Sequence, residues 1–122
     1  MSAIPYSDDV LAPDVVLVQL TDVAKQLDRA VSRVQQMLRD HQLIAVKREG
    51  VLSVPEQFFG DDGHVLEPLP GLISVLRDGG YRETEIVRWL FTIDDSLPGM
   101  PIDALHGHRA REVVRRAQAM GF

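Results

Sequence analysis

The chain has 122 residues, 45% of them hydrophobic, with a formal net charge of −5 and no cysteine. That length suits one compact domain or two very small ones that share a core. The absence of cysteine excludes disulfides and thiolate metal sites, and no stretch approaches the roughly 18 apolar residues of a membrane span. The first residues lack the basic and apolar regions of a signal peptide. We expect a cytoplasmic globular protein without a membrane partner.

The charge is unevenly distributed along the chain. Residues 1–19 carry a net charge of −3, residues 20–60 carry +1, and residues 61–122 carry −3. A positive balance favours contact with the phosphate backbone of nucleic acids. Any nucleic-acid contact is therefore expected in residues 20–60.

Residues 1–14 are acidic, polar and interrupted by Pro5 and Pro13. This composition predicts a flexible tail. Ser2 and Ser7 are hydroxyls in this tail that a protein kinase could modify, and the alternative is an ordinary solvated tail. The apolar run at residues 15–18 either forms an edge strand or packs against the segment that follows.

Two short helices come next. Val23, Ala24 and Leu27 recur at helical spacing, and Thr21 is a candidate N-cap before them. The pattern breaks at residues 28–30. A second apolar face then follows, made of Val31, Val34, Met37 and Leu38. Two helices joined by about three residues form a helix-turn-helix.

A two-stranded wing is predicted after the second helix. Apolar and β-branched runs flank the dipeptide Glu49-Gly50. Such a dipeptide predicts a tight hairpin, because glycine adopts positive φ without steric cost. We place the wing at residues 44–54, inside a domain that spans residues 15–60.

The second helix, placed at residues 31–41, has a polar face that suits DNA recognition. Arginine binds guanine and glutamine binds adenine through paired hydrogen bonds, and serine contacts phosphate. Lys47 and Arg48, beside the wing turn, suit phosphate contacts. The alternative is a solvated surface, which most amphipathic helices have. The candidate reading residues on the helix are Ser32, Arg33, Gln35, Gln36 and Arg39.

The stretches LTDVAKQL, VSRVQQMLRDHQLIAV and VLSVPEQFF resemble the winged helix-turn-helix of the excisionase and MerR-like group. The resemblance implies that the second helix enters the major groove and that the wing touches the backbone or the minor groove. Two positions differ from the usual pattern. Asp28 stands where that group has a turn glycine, and Ala30 stands where it has a capping Ser, Thr or Pro.

Residues 61–122 predict a helical subdomain that shares the core of the first half. A helix over residues 72–76 ends at Gly79-Gly80, and Pro101 begins another. The predicted fold class is mainly α with a small β-hairpin wing, a winged helix-turn-helix followed by this subdomain. In the last helix, arginines either stabilise the C-terminal end of the dipole or make a second phosphate contact. They are Arg109, Arg111, Arg115 and Arg116.

No constellation of catalytic or metal-binding residues stands out. The loop at residues 60–64 lacks the alternating acids and terminal glutamate of a calcium loop. His106 and His108 flank one glycine, a spacing that rarely directs two imidazoles at one ion. We therefore expect no enzyme activity, no metal and no cofactor.

Over residues 20–122 the chain resembles a small actinobacterial family of winged helix-turn-helix DNA-binding proteins, through SVLRDGGYRETEIVRWLF and PIDALHGHRAREVVRRAQAM. The mycobacterial member of that family is a substrate of the Ser/Thr protein kinase PknL. The resemblance implies binding to double-stranded DNA, regulated by phosphorylation of a threonine in the N-terminal tail. The first threonine here is Thr21, so Ser2 and Ser7 are the hydroxyls available to such a kinase.

The last third of the chain resembles the C-terminal domain of the Xre/MbcA/ParS antitoxins, through residues 89–90, 101–105 and 107–114. That resemblance implies a surface for a partner protein or for a second copy of the chain. The sequence therefore supports two alternative functions. One is a transcriptional regulator that reads duplex DNA with the helix and the wing, and the other is a protein-interaction module that acts through the C-terminal helices.

Overall fold

A computed structural model describes residues 3–95, 97 and 99–120. It contains helices around a small sheet, and it confirms the predicted class of a mainly α protein with a hairpin wing. The strands are β1 (Tyr6–Asp8), β2 (Leu17–Gln19), β3 (Ala45–Arg48) and β4 (Val51–Pro55). The helices are α1 (Leu20–Leu27), α2 (Val31–Arg39), α3 (Leu69–Asp78), α4 (Glu83–Leu90), α5 (Pro101–Leu105) and α6 (Ala110–Met120), and a 3₁₀ turn spans Glu56–Phe58.

The turn between α1 and α2 uses Asp28 in the position expected for glycine. Asp28 adopts left-handed geometry, with φ 55° and ψ 49°, and it ends α1. Aspartate tolerates this region better than most residues because its short polar side chain hydrogen-bonds locally. Ala30 then precedes α2 with an extended backbone and makes no side-chain cap bond. The prediction that Thr21 caps α1 is wrong, because the helix already begins at Leu20.

The wing is a tight antiparallel hairpin. β3 and β4 pair with Lys47 opposite Leu52 and Arg48 opposite Val51. The two turn residues both have positive φ, 51° at Glu49 and 79° at Gly50. Positive φ at both positions matches the right-handed twist of the strands that they join. The predicted wing is therefore confirmed.

The sheet has four strands, in the order β1-β3-β4-β2. The apolar run after residue 14 supplies β2, which pairs antiparallel with β4. The prediction of a flexible tail over residues 1–14 is wrong for β1, which pairs in parallel with β3. Leu11 is also buried, and the amide of Asp8 donates to Thr84 Oγ1 of α4 at 3.0 Å. Ladder bonds and apolar burial outweigh the entropy that a free tail would keep.

One apolar core joins the two halves of the chain. Phe58, behind the wing, is fully buried, and its ring centroid lies 6.1 Å from that of Phe91 at the end of α4. α3 ends at the predicted glycines. α5 begins at Pro101, because the proline ring fixes a φ that suits the first residue of a helix. Among the residues that the structure describes, every helix is too short or too polar to cross a membrane.

Candidate nucleic-acid interface

The five candidate reading residues lie on one face of α2. Ser32, Arg33 and Gln36 are exposed, whereas Gln35 and Arg39 are half-buried. Side chains that are three or four positions apart share a helix face, so this polar face is continuous. On the opposite face, α2 is anchored by Val34 and Leu38, which are 0% and 1% exposed.

α2 is shorter than predicted at its C-terminal end. It ends at Arg39 rather than at residue 41, and His41 adopts a φ of 60°. The side chain of Gln36 donates to Asp40 Oδ1 at 2.9 Å. Asp40 therefore holds the amide of Gln36 on the exposed side of the helix.

Lys47 lies on the outer face of β3, where it is exposed. Its ammonium nitrogen is 5.0 Å from the centroid of the Tyr6 ring, a cation–π contact across the parallel pair of β1 and β3. The lysine is thus held beside the wing while its charge stays accessible. This location suits the predicted phosphate contact.

The guanidinium of Arg48 is engaged by the N-terminal segment. Its Nε donates to Asp9 Oδ2 at 2.7 Å, and its Nη2 donates to Asp9 Oδ1 at 3.2 Å. The remaining N–H groups donate to the carbonyl oxygens of Val15 at 3.0 Å, Ala12 at 3.1 Å and Pro13 at 3.5 Å. A guanidinium has five N–H donors, so none is left for DNA. Arg48 thus binds the N-terminal segment to the wing, and a phosphate contact would require it to give up one of these bonds.

The ion pair changes the protonation equilibria of both partners. The hydrogen bonds from Arg48 lower the pKa of Asp9, because they stabilise the charged carboxylate. The same pairing with Asp9 raises the pKa of Arg48. Both groups therefore stay charged over the physiological pH range.

Of the two candidate phosphorylation residues, the structure describes only Ser7. Ser2 lies outside the described residues. Ser7 lies in β1, is fully buried, and donates through its hydroxyl to the carbonyl oxygen of Asp8 at 2.6 Å. A kinase cannot reach this hydroxyl while β1 is paired, so the prediction of Ser7 as a phosphorylation site disagrees with the structure.

Two basic residues near α2 were missed in the sequence. Lys25 on α1 and Arg29 in the turn are both exposed. The guanidinium of Arg29 donates to the carbonyl oxygen of Asp28 at 3.3 Å, so it sits beside the first turn of α2. The signal was their position at the end of the first helix and in the turn of a helix-turn-helix, where backbone contacts are common.

The described acidic and histidine-containing loops are tied to other parts of the protein. His106 Nε2 lies 2.6 Å from the carbonyl oxygen of Gln57, and the loop at residues 60–63 is tied to α1 by a bond from Gln26 Nε2 to the carbonyl oxygen of Gly63. Within the described part of the chain, no group of three or more His, Cys, Asp or Glu side chains could hold an ion.

A helix-turn-helix with a hairpin wing and an exposed polar second helix defines a protein of the winged helix-turn-helix class. The chain belongs to the Rv2175c family. Residues 3–59 match the family described as "DNA-binding protein Rv2175c, wHTH domain", and residues 66–121 match "Rv2175c C-terminal domain of unknown function".

A curated relative and a solved structure agree with this assignment. The chain is 49% identical over 134 residues to the DNA-binding protein Rv2175c of Mycobacterium tuberculosis (strain ATCC 25618 / H37Rv), covering 100% of this chain and 92% of the relative. The NMR structure of Rv2175c superposes with a TM-score of 0.91 at 50% identity, covering 99% of this chain and 91% of that one. The link to a kinase and the resemblance to antitoxins remain predictions.

Proposed function

We propose that this protein is a transcriptional regulator of the cytoplasm that binds duplex DNA by inserting α2 into the major groove. One observation carries the proposal: the polar face of α2 is exposed while its opposite face is fully anchored in the core. A rigid helix presented in this way is what base reading requires. The relative that shares 49% identity is named a DNA-binding protein.

The contact that each side chain makes with DNA is assigned from its exposure to solvent. Arg33 and Gln36 are the exposed side chains of α2 that can make paired hydrogen bonds with guanine and adenine. Lys47 binds phosphate beside the groove, and Lys25 and Arg29 add backbone contacts. Glu49 at the wing tip carries the same sign as phosphate and weakens the approach of the wing.

Regulation by a Ser/Thr kinase would require a hydroxyl that the enzyme can reach. Ser7 becomes accessible only when β1 leaves the sheet, because the residue is fully buried in the paired strand. We therefore place no phosphorylation site at Ser7 in the folded protein. Ser2 stays a proposal from the sequence.

The test is binding to duplex DNA over a salt series. Wild-type protein should bind at low salt, and its affinity should fall as salt rises, because phosphate contacts release counterions. The Arg33→Ala and Gln36→Ala variants should each lose about 1 to 3 kcal/mol of binding to a preferred site. Lys47→Ala should weaken binding to all sequences and reduce the salt slope by about 1.

Arg88→Ala is the matched control, because Arg88 is an exposed arginine on α4, outside the helix-turn-helix and the wing. It should bind DNA as the wild type does. The proposal fails if the wild type does not bind DNA even at low salt. It also fails if Arg33→Ala and Gln36→Ala, folded and equally stable, keep full affinity.

A further inference from the structure

α6 has a charge opposite to that of the whole chain. Together with Arg109, the residue before it, the helix contains four arginines and one glutamate, a net charge of +3, whereas the chain carries −5. The rest of the protein therefore has a net charge of −8. This is a larger positive balance than the +1 of residues 20–60, which contain the helix-turn-helix and the wing.

Two of these arginines lie at the end of the helix where the dipole disfavours a positive charge. α6 begins at Ala110, so Arg109 and Arg111 lie at its N-terminus, and the last turn contains no basic residue. Cations at a helix N-terminus oppose the macrodipole. The expectation that these arginines support the C-terminal end of the dipole is therefore wrong. Arg109 and Arg111 therefore carry a local electrostatic cost, whereas Arg115 and Arg116 are paired with Glu112.

A shallow groove lies beside these charges. Its volume is about 270 Å³, and it runs between α6 and the residue before α3. Pro68, Ala110 and Val114 form an apolar floor, while Arg111, Arg115 and Gln118 form a polar rim. We call these six residues the α6 groove.

The rim charges are available. The side chain of Arg115 is 74% exposed, and its Nη1 is 3.4 Å from Glu112 Oε2. Glu112 also receives a bond from Arg116 Nη2 at 2.9 Å, so one carboxylate is shared by two arginines. Arg111 is exposed as well. An exposed ion pair of this kind exchanges partners at little cost.

We propose that the α6 groove docks an acidic, amphipathic segment of a partner protein. Apolar side chains of that segment would cover the floor, and its carboxylates would pair with Arg111 and Arg115. DNA fits less well, because phosphates gain nothing from an apolar floor. A two-fold contact between copies of this chain would place arginines against arginines. The groove contains no residue of α1, α2 or the wing, so this inference stands apart from the proposed DNA binding.

The probes are fluorescent helical peptides of about 16 residues with one leucine stripe and acidic, neutral or basic flanks. Binding to the full-length protein is measured by fluorescence polarisation, with amide chemical shifts mapped by NMR. The acidic amphipathic peptide should bind about tenfold more tightly than the neutral one, and the basic peptide should not bind. The shifts should concentrate on α6.

Two variants and a matched control test the groove itself. Arg111→Glu with Arg115→Glu should abolish binding of the acidic peptide while the fold is kept, because a glutamate at position 111 favours the dipole. Val114→Ser should weaken binding about tenfold by removing apolar area from the floor. Arg111→Lys with Arg115→Lys, which keeps the charge, should retain most of the affinity.

Three results would overturn the inference. One is that polyglutamate without a leucine stripe binds as tightly as the amphipathic peptide. Charge alone would then explain the binding, and the apolar floor would contribute nothing. Another is that duplex DNA competes with the peptide and shifts the α6 amides, which makes the groove a DNA contact. The third is that no peptide binds. Since the double charge reversal leaves α2 intact, its DNA affinity separates a failure here from a failure of the proposed function.

Discussion

Arg48 and Asp9 form a two-point ion pair that fastens the N-terminal segment to the wing. Arg48 Nε is 2.7 Å from Asp9 Oδ2, and Arg48 Nη2 is 3.2 Å from Asp9 Oδ1. The two residues are 39 positions apart. Arg48 thereby belongs to the scaffold of the winged domain, while Lys47, its neighbour on the outer face of the strand, remains available to DNA.

We expect Arg48→Ala to destabilise the protein more than Asp9→Asn does. Arg48→Ala removes the ion pair with Asp9 and also leaves three backbone carbonyls without their donor. Asp9→Asn keeps a polar partner for the guanidinium. The unfolding temperatures of both variants are measured by monitoring circular dichroism during heating. Arg88→Ala serves as the control for an exposed arginine. Equal unfolding temperatures for Arg48→Ala and Arg88→Ala would refute the structural role.

The stability contributed by the pair should depend on pH in a defined direction. Pairing lowers the pKa of Asp9 in the folded protein. Its contribution is therefore complete above the unfolded pKa of about 3.9 and is lost as the pH falls through the folded pKa. The difference in unfolding temperature between wild type and Asp9→Asn should be largest near neutral pH and should shrink in acid. A difference that grows on acidification contradicts the assignment.

The wing turn should accept an improvement at Glu49. Glu49 has a φ of 51° and precedes Gly50, and Asn-Gly is the preferred pair in such a turn. Glu49→Asn should raise stability by up to about 1 kcal/mol and also strengthen DNA binding by removing a negative charge. Glu49→Gln is the matched control, since it removes the charge without the backbone benefit. If both variants bind DNA as the wild type does, the wing tip does not approach the phosphates.

Ser7 should not tolerate a negative charge. The residue is fully buried in β1, so Ser7→Asp should cost about 3 kcal/mol of stability, whereas Ser7→Ala should cost about 1 kcal/mol for the lost hydrogen bond. Denaturant unfolding gives both values. Ser74→Asp, at an exposed position of α3, is the control. A Ser7→Asp variant as stable as Ser74→Asp would show that β1 leaves the sheet readily.

Local patterns predicted the helix-turn-helix and the wing. The apolar spacing of Val23, Ala24, Val34 and Leu38 placed both helices, because a helix shows its buried face in the order of its residues. Gly50 marked the hairpin, because a turn is set by the residues within it. The polar face of α2 followed from the same periodicity, which is why its five candidate residues lie together.

Only the tertiary structure decided what happens between distant segments. β1 pairs with β3 in parallel, and the three residues Tyr6–Asp8 show no local sign of a partner nearly forty positions away. The same pairing buries Ser7 and brings Asp9 to Arg48, so it covers one predicted kinase site and engages one predicted DNA contact. Periodicity records which face of an element is buried, whereas contact between elements depends on how the whole chain folds back on itself.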